Sequence, residues 1–138
     1  MSSATRKSAS QLREVGGSRY CLEMVDHWHE AWPDVLDLID RLGQTDCILV
    51  DDEGWLSARQ CVTAAFDPAG RVVAQYCFRI EPVERDGKIL TDAGKVVVRA
   101  KVSCAGEDAG ADGPVVLQVL RENAEQHAAS LGCREFVA

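Results

Sequence analysis

Two β-rich runs separated by a short polar turn dominate the middle of the chain. Cys61-Val62-Thr63-Ala64-Ala65-Phe66 precedes Asp67-Pro68-Ala69-Gly70, and Arg71 to Ile80 follows. β-branched and aromatic residues on either side of a Pro/Gly turn specify an antiparallel hairpin. If its loop is the three residues Pro68-Ala69-Gly70, Cys61 lies opposite Cys77. That register permits a cross-strand disulfide, although a reducing compartment makes two packed thiols the better reading.

Other elements line up around the hairpin. Arg19 to Val25 alternates as a first strand, with Tyr20, Leu22 and Met24 on one face. Pro33 at a first helical position, Asp34 in the first turn and Gly43 beyond the end bracket a helix with Val35, Leu36, Ile39 and Leu42 as its apolar stripe. The run Cys47 to Val50 is ambiguous between strand and loop, and Asp51-Asp52-Glu53-Gly54 ends it. Residues 81 to 95 hold Asp86-Gly87 and Asp92-Ala93-Gly94, the chemistry of turns, and read as a polar excursion. Lys95 to Cys104 is a further strand with Val96, Val98, Ala100, Val102 and Cys104 on one face, and Cys133 to Ala138 is a last one. Between them runs a helix from Pro114 to Leu131, with Leu117, Leu120, Ala124, Ala128 and Leu131 as its core positions and Gly132 as its stop.

These elements predict an α/β (α+β) domain with a mixed, largely antiparallel central sheet and flanking helices, covering residues 18 to 138 and ending after its fifth strand. Residues 1 to 17, rich in Ser, Arg and Lys and closed by Gly16-Gly17, read as a disordered basic arm. With 138 residues and 46% apolar composition the chain can bury a core without disulfide or metal staples. Its formal charge of −7 argues against a surface that tracks nucleic-acid phosphates or binds anionic membranes, and favours a cationic substrate or partner. No apolar run approaches the roughly 20 residues that cross a bilayer. Six cysteines with no C-x-x-C spacing and no signal peptide read as reduced thiols, which makes the cytoplasm the expected location.

The segment most suggestive of function is the glycine-rich loop Ala105-Gly106-Glu107-Asp108-Ala109-Gly110-Ala111-Asp112-Gly113, placed between a strand and the Pro114 helix. Consecutive backbone N–H groups in such a turn, backed by the positive end of a helix, form a concave site for a pyrophosphate, and small residues let the phosphate approach. The order of elements and the run Val102 to Leu117, followed by Ala124 and Leu131-Gly132-Cys133, resemble the GNAT N-acetyltransferase family. The resemblance implies acetyl-CoA as cofactor and a primary amine as acceptor. Gly110, Ala111 and Gly113 would then hold the pyrophosphate, and the backbone of Val102, Ser103 and Cys104 the pantetheine arm. Asp108 occupies the place where the family has Arg or Gln.

That departure has an energetic sign. Glu107, Asp108 and Asp112 surround the loop, and no Lys or Arg falls between Lys101 and Arg121. Like charges a few ångströms apart repel by about 1 to 4 kcal/mol, against roughly 0.3 to 2 kcal/mol of attraction at a helix end. Pro114 also removes one N–H from the first helical turn. Family members continue with a helix that often supplies a tyrosine acid and two more strands, which this sequence does not show after Ala138. Two functions follow: a degenerate acyl-CoA-binding acetyltransferase domain with weak or absent cofactor binding, or a non-catalytic interaction or dimerisation module. In either case Cys133 to Ala138 is expected to offer an open edge to a second copy or another chain.

Remaining candidates are weaker. No catalytic residue is assigned, although Glu81 and Glu84 could serve an amine nucleophile as bases. His27 and His29 converge on a metal only if their stretch is extended, so no metal is expected. Trp28, Trp32 and Trp55 fit a ligand cleft or a simple core.

Overall fold

A computed structural model describes residues 10 to 138. In chain order the elements are β1 (Gln11–Val15), β2 (Ser18–Val25), α1 (Trp32–Arg41), β3 (Gln60–Phe66) and β4 (Val72–Pro82). Four two-residue strands follow, β5 (Glu84–Arg85), β6 (Lys88–Ile89), β7 (Thr91–Asp92) and β8 (Lys95–Val96). The chain ends on β9 (Val98–Glu107), α2 (Gly113–Ser130) and β10 (Cys133–Val137). One sheet takes the order β1-β2-β3-β4-β9-β10, antiparallel throughout except for the parallel pair β9–β10.

Strand side chains alternate between faces, and each face acquires its own helix. Tyr20, Leu22, Phe78 and Ala100 of the sheet pack with Val116 and Leu120 of α2. Val25, Val62 and Cys77 of the sheet pack with Val35, Leu38 and Ile39 of α1. The mixed sheet between two helices is the architecture expected from the sequence. β4 runs on to Pro82, and residues 84 to 96 of the expected excursion form two miniature hairpins, β5–β6 and β7–β8, as their turn residues require.

Four expectations need correction. The basic arm is ordered from Gln11, because Gly16 and Gly17, both at positive φ, turn β1 back onto β2 as an antiparallel pair. Val15 is buried there, Arg13 pairs with Glu122 of α2 at 3.4 Å, and Gln11 accepts from Asn123 Nδ2 at 3.0 Å. Residues 1 to 9 lie outside the described residues.

The second correction is to the hairpin register. Cys61 faces Phe78, and Cys77 faces Val62, so the two thiols sit on opposite sides of the sheet. The turn itself keeps the expected register, with Phe66 opposite Val72 and Asp67 N–H donating to the Arg71 carbonyl at 2.9 Å; the slip comes one step later, where Ala65 pairs with Ala74 and Val73 is left as a bulge. A slip of one residue exchanges every side chain between faces.

The third concerns β9, where Val102 pairs with Phe78 and Cys104 with Cys77, which leaves Ser103 as a bulge. The extra residue moves Cys104 to the α1 face, away from Ala100 and Val102. The fourth concerns α2, whose buried stripe is rotated toward Val116 and Val119, while Leu131 is 47% exposed.

Candidate functional site

β9 has a full-length partner on one side only. β4 pairs with it from Val98 to Glu107, whereas β10 follows it from Val98 to Lys101 and then ends. From Val102 onward, β9 therefore has no strand partner on its β10 side among the described residues. Val102, Ser103 and Cys104 stand at the point where that pairing stops. Ser103 Oγ donates to the Cys77 carbonyl at 3.2 Å, and Cys104 is buried beside Gln75 Nε2 at 3.3 Å. Further along, the Ala105 carbonyl accepts from Gln44 Nε2 at 2.8 Å, and a Cβ on Gly106 would lie 2.7 Å from Leu42. The segment after α1 thus already occupies part of this edge.

The strand then enters the glycine-rich loop, in which Gly110–Asp112 forms a single 3-10 turn that runs into α2. Gly110 sits at φ +67° with open space around it, and Ala111 is exposed. Each loop carboxylate has a protein partner. Glu107 Oε1 accepts from the Ala109 N–H at 3.0 Å, and its carboxylate stands where a Cβ on Gly113 would be. Asp108 pairs with Arg41 of α1, which also reaches Asp37 at 3.2 Å. Asp112 accepts from Tyr20 Oη at 2.8 Å and lies against Gly16. The Asp112 hydrogen bond, with burial second, holds the Tyr20 phenol above its ordinary pKa. Tyr20, Arg41 and Gln44 were not legible as site residues, because each is more than 60 residues from its loop partner.

The other sequence candidates do not join this site. Glu81 is held in a fork by Arg99 at 2.7 and 2.9 Å and by Arg79 at 3.2 Å, and the Arg99 bond above all lowers its pKa, which weakens it as a base. Glu84 sits exposed in β5. The two histidines part: His27 Nδ1 accepts from Leu56 N–H at 3.2 Å, while His29 Nε2 meets Glu23. Among the described residues no group of three or more metal-type ligands occurs. Trp32 is buried and donates to the Gly54 carbonyl at 2.9 Å, whereas Trp28 and Trp55 are on the surface.

Glu23 carries a pH signature. Burial would push its carboxyl up, but hydrogen bonds from His29, Ser10 and Cys21 outweigh that and leave it below its ordinary value of 4.5. A carboxyl depressed on folding stabilises the protein above the unfolded pKa, and that contribution is lost as pH falls through the folded value. The urea midpoint of the wild type is therefore expected to exceed that of Glu23→Gln at pH 6, with the gap closing below about pH 4. Parallel curves from pH 6 to pH 3 would refute this account.

No family model matches the chain, and no protein of curated function matches its sequence. Solved structures match it in shape. Aminoglycoside N-acetyltransferase AAC(6')-Iy in complex with CoA superimposes with a TM-score of 0.59 at 14% identity, over 88% of this chain and 76% of that one. The aminoglycoside 6'-N-acetyltransferase AAC(6')-Ih of Acinetobacter baumannii gives 0.55 at 12%, over 84% and 77%. A GNAT family acetyltransferase of Staphylococcus aureus gives 0.53 at 7%, over 84% of each chain. The chain has the fold of the GNAT acetyltransferases. Among the described residues, no helix is long and apolar enough to cross a membrane.

This fold implies acetyl-CoA, and the loop here does not fit its pyrophosphate. Gly110, Ala111 and Gly113 are small, but the Glu107 carboxylate fills the space over Gly113 and takes the Ala109 N–H. Asp112 adds a further negative charge, Asp108 is already paired with Arg41, and Pro114 has no N–H to give. An incoming phosphate would have to displace a charge-assisted hydrogen bond, which contributes about 1.5 to 3 kcal/mol, before meeting the repulsion of its neighbours.

Proposed function

We propose that this chain is a non-catalytic binding module on the acetyltransferase fold, in which the phosphate cradle is closed by the chain's own carboxylates. The observation that supports it is Glu107, whose carboxylate lies against Gly113, the first residue of α2, and takes the Ala109 N–H of the loop. Each carboxylate near that turn repels a phosphate by about 1 to 4 kcal/mol, more than the roughly 0.3 to 2 kcal/mol offered by the helix end. The module would act by contact with other molecules in the cytoplasm, where its six free thiols stay reduced. One contact surface in this reading is β10, the outermost strand of the sheet, available to a second copy or to a partner chain.

A second reading keeps the acyl donor: an N-acetyltransferase acting on a primary amine, with pantetheine along Val102, Ser103 and Cys104. The free side of β9 beyond Lys101 favours it. Titration of the protein with acetyl-CoA, following the amide resonances of Gly110 to Leu117, separates the two. The module reading expects no saturable shift up to about 1 mM, equivalent to a binding free energy weaker than about 4 kcal/mol. Saturation at low micromolar concentration, with thiol release on a panel of amines, would establish the enzyme instead.

A further inference from the structure

We propose that His27, Trp28 and Trp55 form a binding face for an organic ammonium ion, a site separate from the loop and strand edge described above. Three rings meet at the end of the sheet where β2 leaves it. His27 stacks on Trp55 with centroids 4.8 Å apart and planes 4° from parallel, and Trp28 leans on both, 5.0 Å from His27 and 5.3 Å from Trp55. Trp28 is 64% exposed and Trp55 48% exposed. Trp55 also borders a surface cavity of about 280 Å³ with Leu49, Val50, Asp51 and Leu56. Exposed apolar surface concentrated in this way, in a chain that buries its third tryptophan, marks a contact site.

Charge identifies the occupant. Between Arg19 and Arg59 the chain carries ten acidic residues and one basic residue, Arg41, which is engaged with Asp37 and Asp108. Two of the acids stand at the feet of the rings. Asp26 Oδ1 accepts from the Trp28 N–H at 2.9 Å, and Asp51 Oδ1 accepts from the Trp55 N–H at 2.9 Å. These bonds are from the backbone amides and tie each carboxylate to the residue that carries an indole, and Asp52 and Glu53 lie exposed in the same turn as Asp51. An indole face attracts a cation through its quadrupole, and adjacent carboxylates add Coulombic attraction. A neutral apolar guest would use the rings and gain nothing from the carboxylates. An anion would be repelled. A carbon-borne ammonium group uses both.

The geometry also sets the orientation of the histidine. Because His27 Nδ1 accepts the Leu56 N–H, the proton of the neutral ring is on Nε2.

The test uses the whole chain and two isosteres, choline and its neutral analogue 3,3-dimethyl-1-butanol, with the three indole N–H resonances as readout. Trp32, buried and hydrogen-bonded to Gly54, is the internal reference. Choline is expected to shift the Trp28 and Trp55 resonances saturably, about tenfold more tightly than the neutral analogue, and to leave Trp32 in place. Trp28→Ala should weaken binding about fivefold, and Asp52→Asn with Glu53→Gln, which touch no ring, should weaken it and flatten its salt dependence. Equal affinity for both isosteres would make the patch merely apolar and overturn the proposal. Equal movement of Trp32, or no saturation below about 50 mM choline, would do the same. None of these readouts involves acetyl-CoA, so they are independent of the reading proposed for the loop.

Discussion

Phe78→Ala is expected to lower the unfolding free energy by about 3 to 5 kcal/mol, the largest effect of any single truncation in the sheet. Phe78 is fully buried and is the largest such side chain in the chain. It sits on β4 between Cys61 of β3 and Val102 of β9, with its ring 5.9 Å from Phe136 of β10 in an edge-to-face arrangement. Four strands therefore converge on one ring, and its loss leaves a cavity that strand hydrogen bonding prevents from collapsing. A domain of this size has about 5 to 15 kcal/mol in total, so the variant should unfold at far lower urea concentration with an unchanged slope. The position matters for the site too, because Val102 is where β9 loses its β10 partner. A cost below about 1 kcal/mol would show that the core at the strand junction is not packed as described.

Glu107→Ala combined with Asp108→Arg is expected to create measurable CoA binding where the wild type has little. The first change frees the Ala109 N–H and empties the space over Gly113. The second replaces a negative charge with a guanidinium at the mouth of the loop and releases Arg41 from its partner. Relative to the wild type, the phosphates lose the Glu107 repulsion and gain the attraction of a new guanidinium and of the freed Arg41, each about 1 to 4 kcal/mol at this range, so a gain of about 100-fold or more is expected. Calorimetry with CoA at low salt measures it, and raising the salt should shrink the gain. If the variant binds no better than the wild type, the carboxylates are not what closes the cradle. If the wild type already binds at low micromolar concentration, the repulsion argument is wrong from the start.

Much of the fold was legible because it depends on local chemistry. The alternation Tyr20, Leu22, Met24, the Pro33 and Gly43 brackets of α1 and the β-rich runs around Pro68 each specify an element through periodicity or backbone preference. The element order, together with the loop before Pro114, was enough to suggest the fold that the solved structures share. Gly16-Gly17 was equally local, yet it read as the end of a mobile arm. A two-glycine turn becomes a hairpin only when both flanking strands find a surface, and Arg13 and Gln11 find theirs on α2, more than 100 residues away.

Register and charge pairing belong to the tertiary structure. Two bulges, at Val73 and Ser103, decide which face Cys61, Cys77 and Cys104 occupy, and a one-residue slip in period-two structure leaves no trace in composition. The acidic loop shows the same division. The sequence by itself determined that Glu107, Asp108 and Asp112 would oppose a phosphate. Only the folded chain brought Arg41 to Asp108, Tyr20 to Asp112 and the Glu107 carboxylate onto α2, because a carboxylate's partner is chosen by distance in space, where Coulomb and hydrogen-bond energies operate.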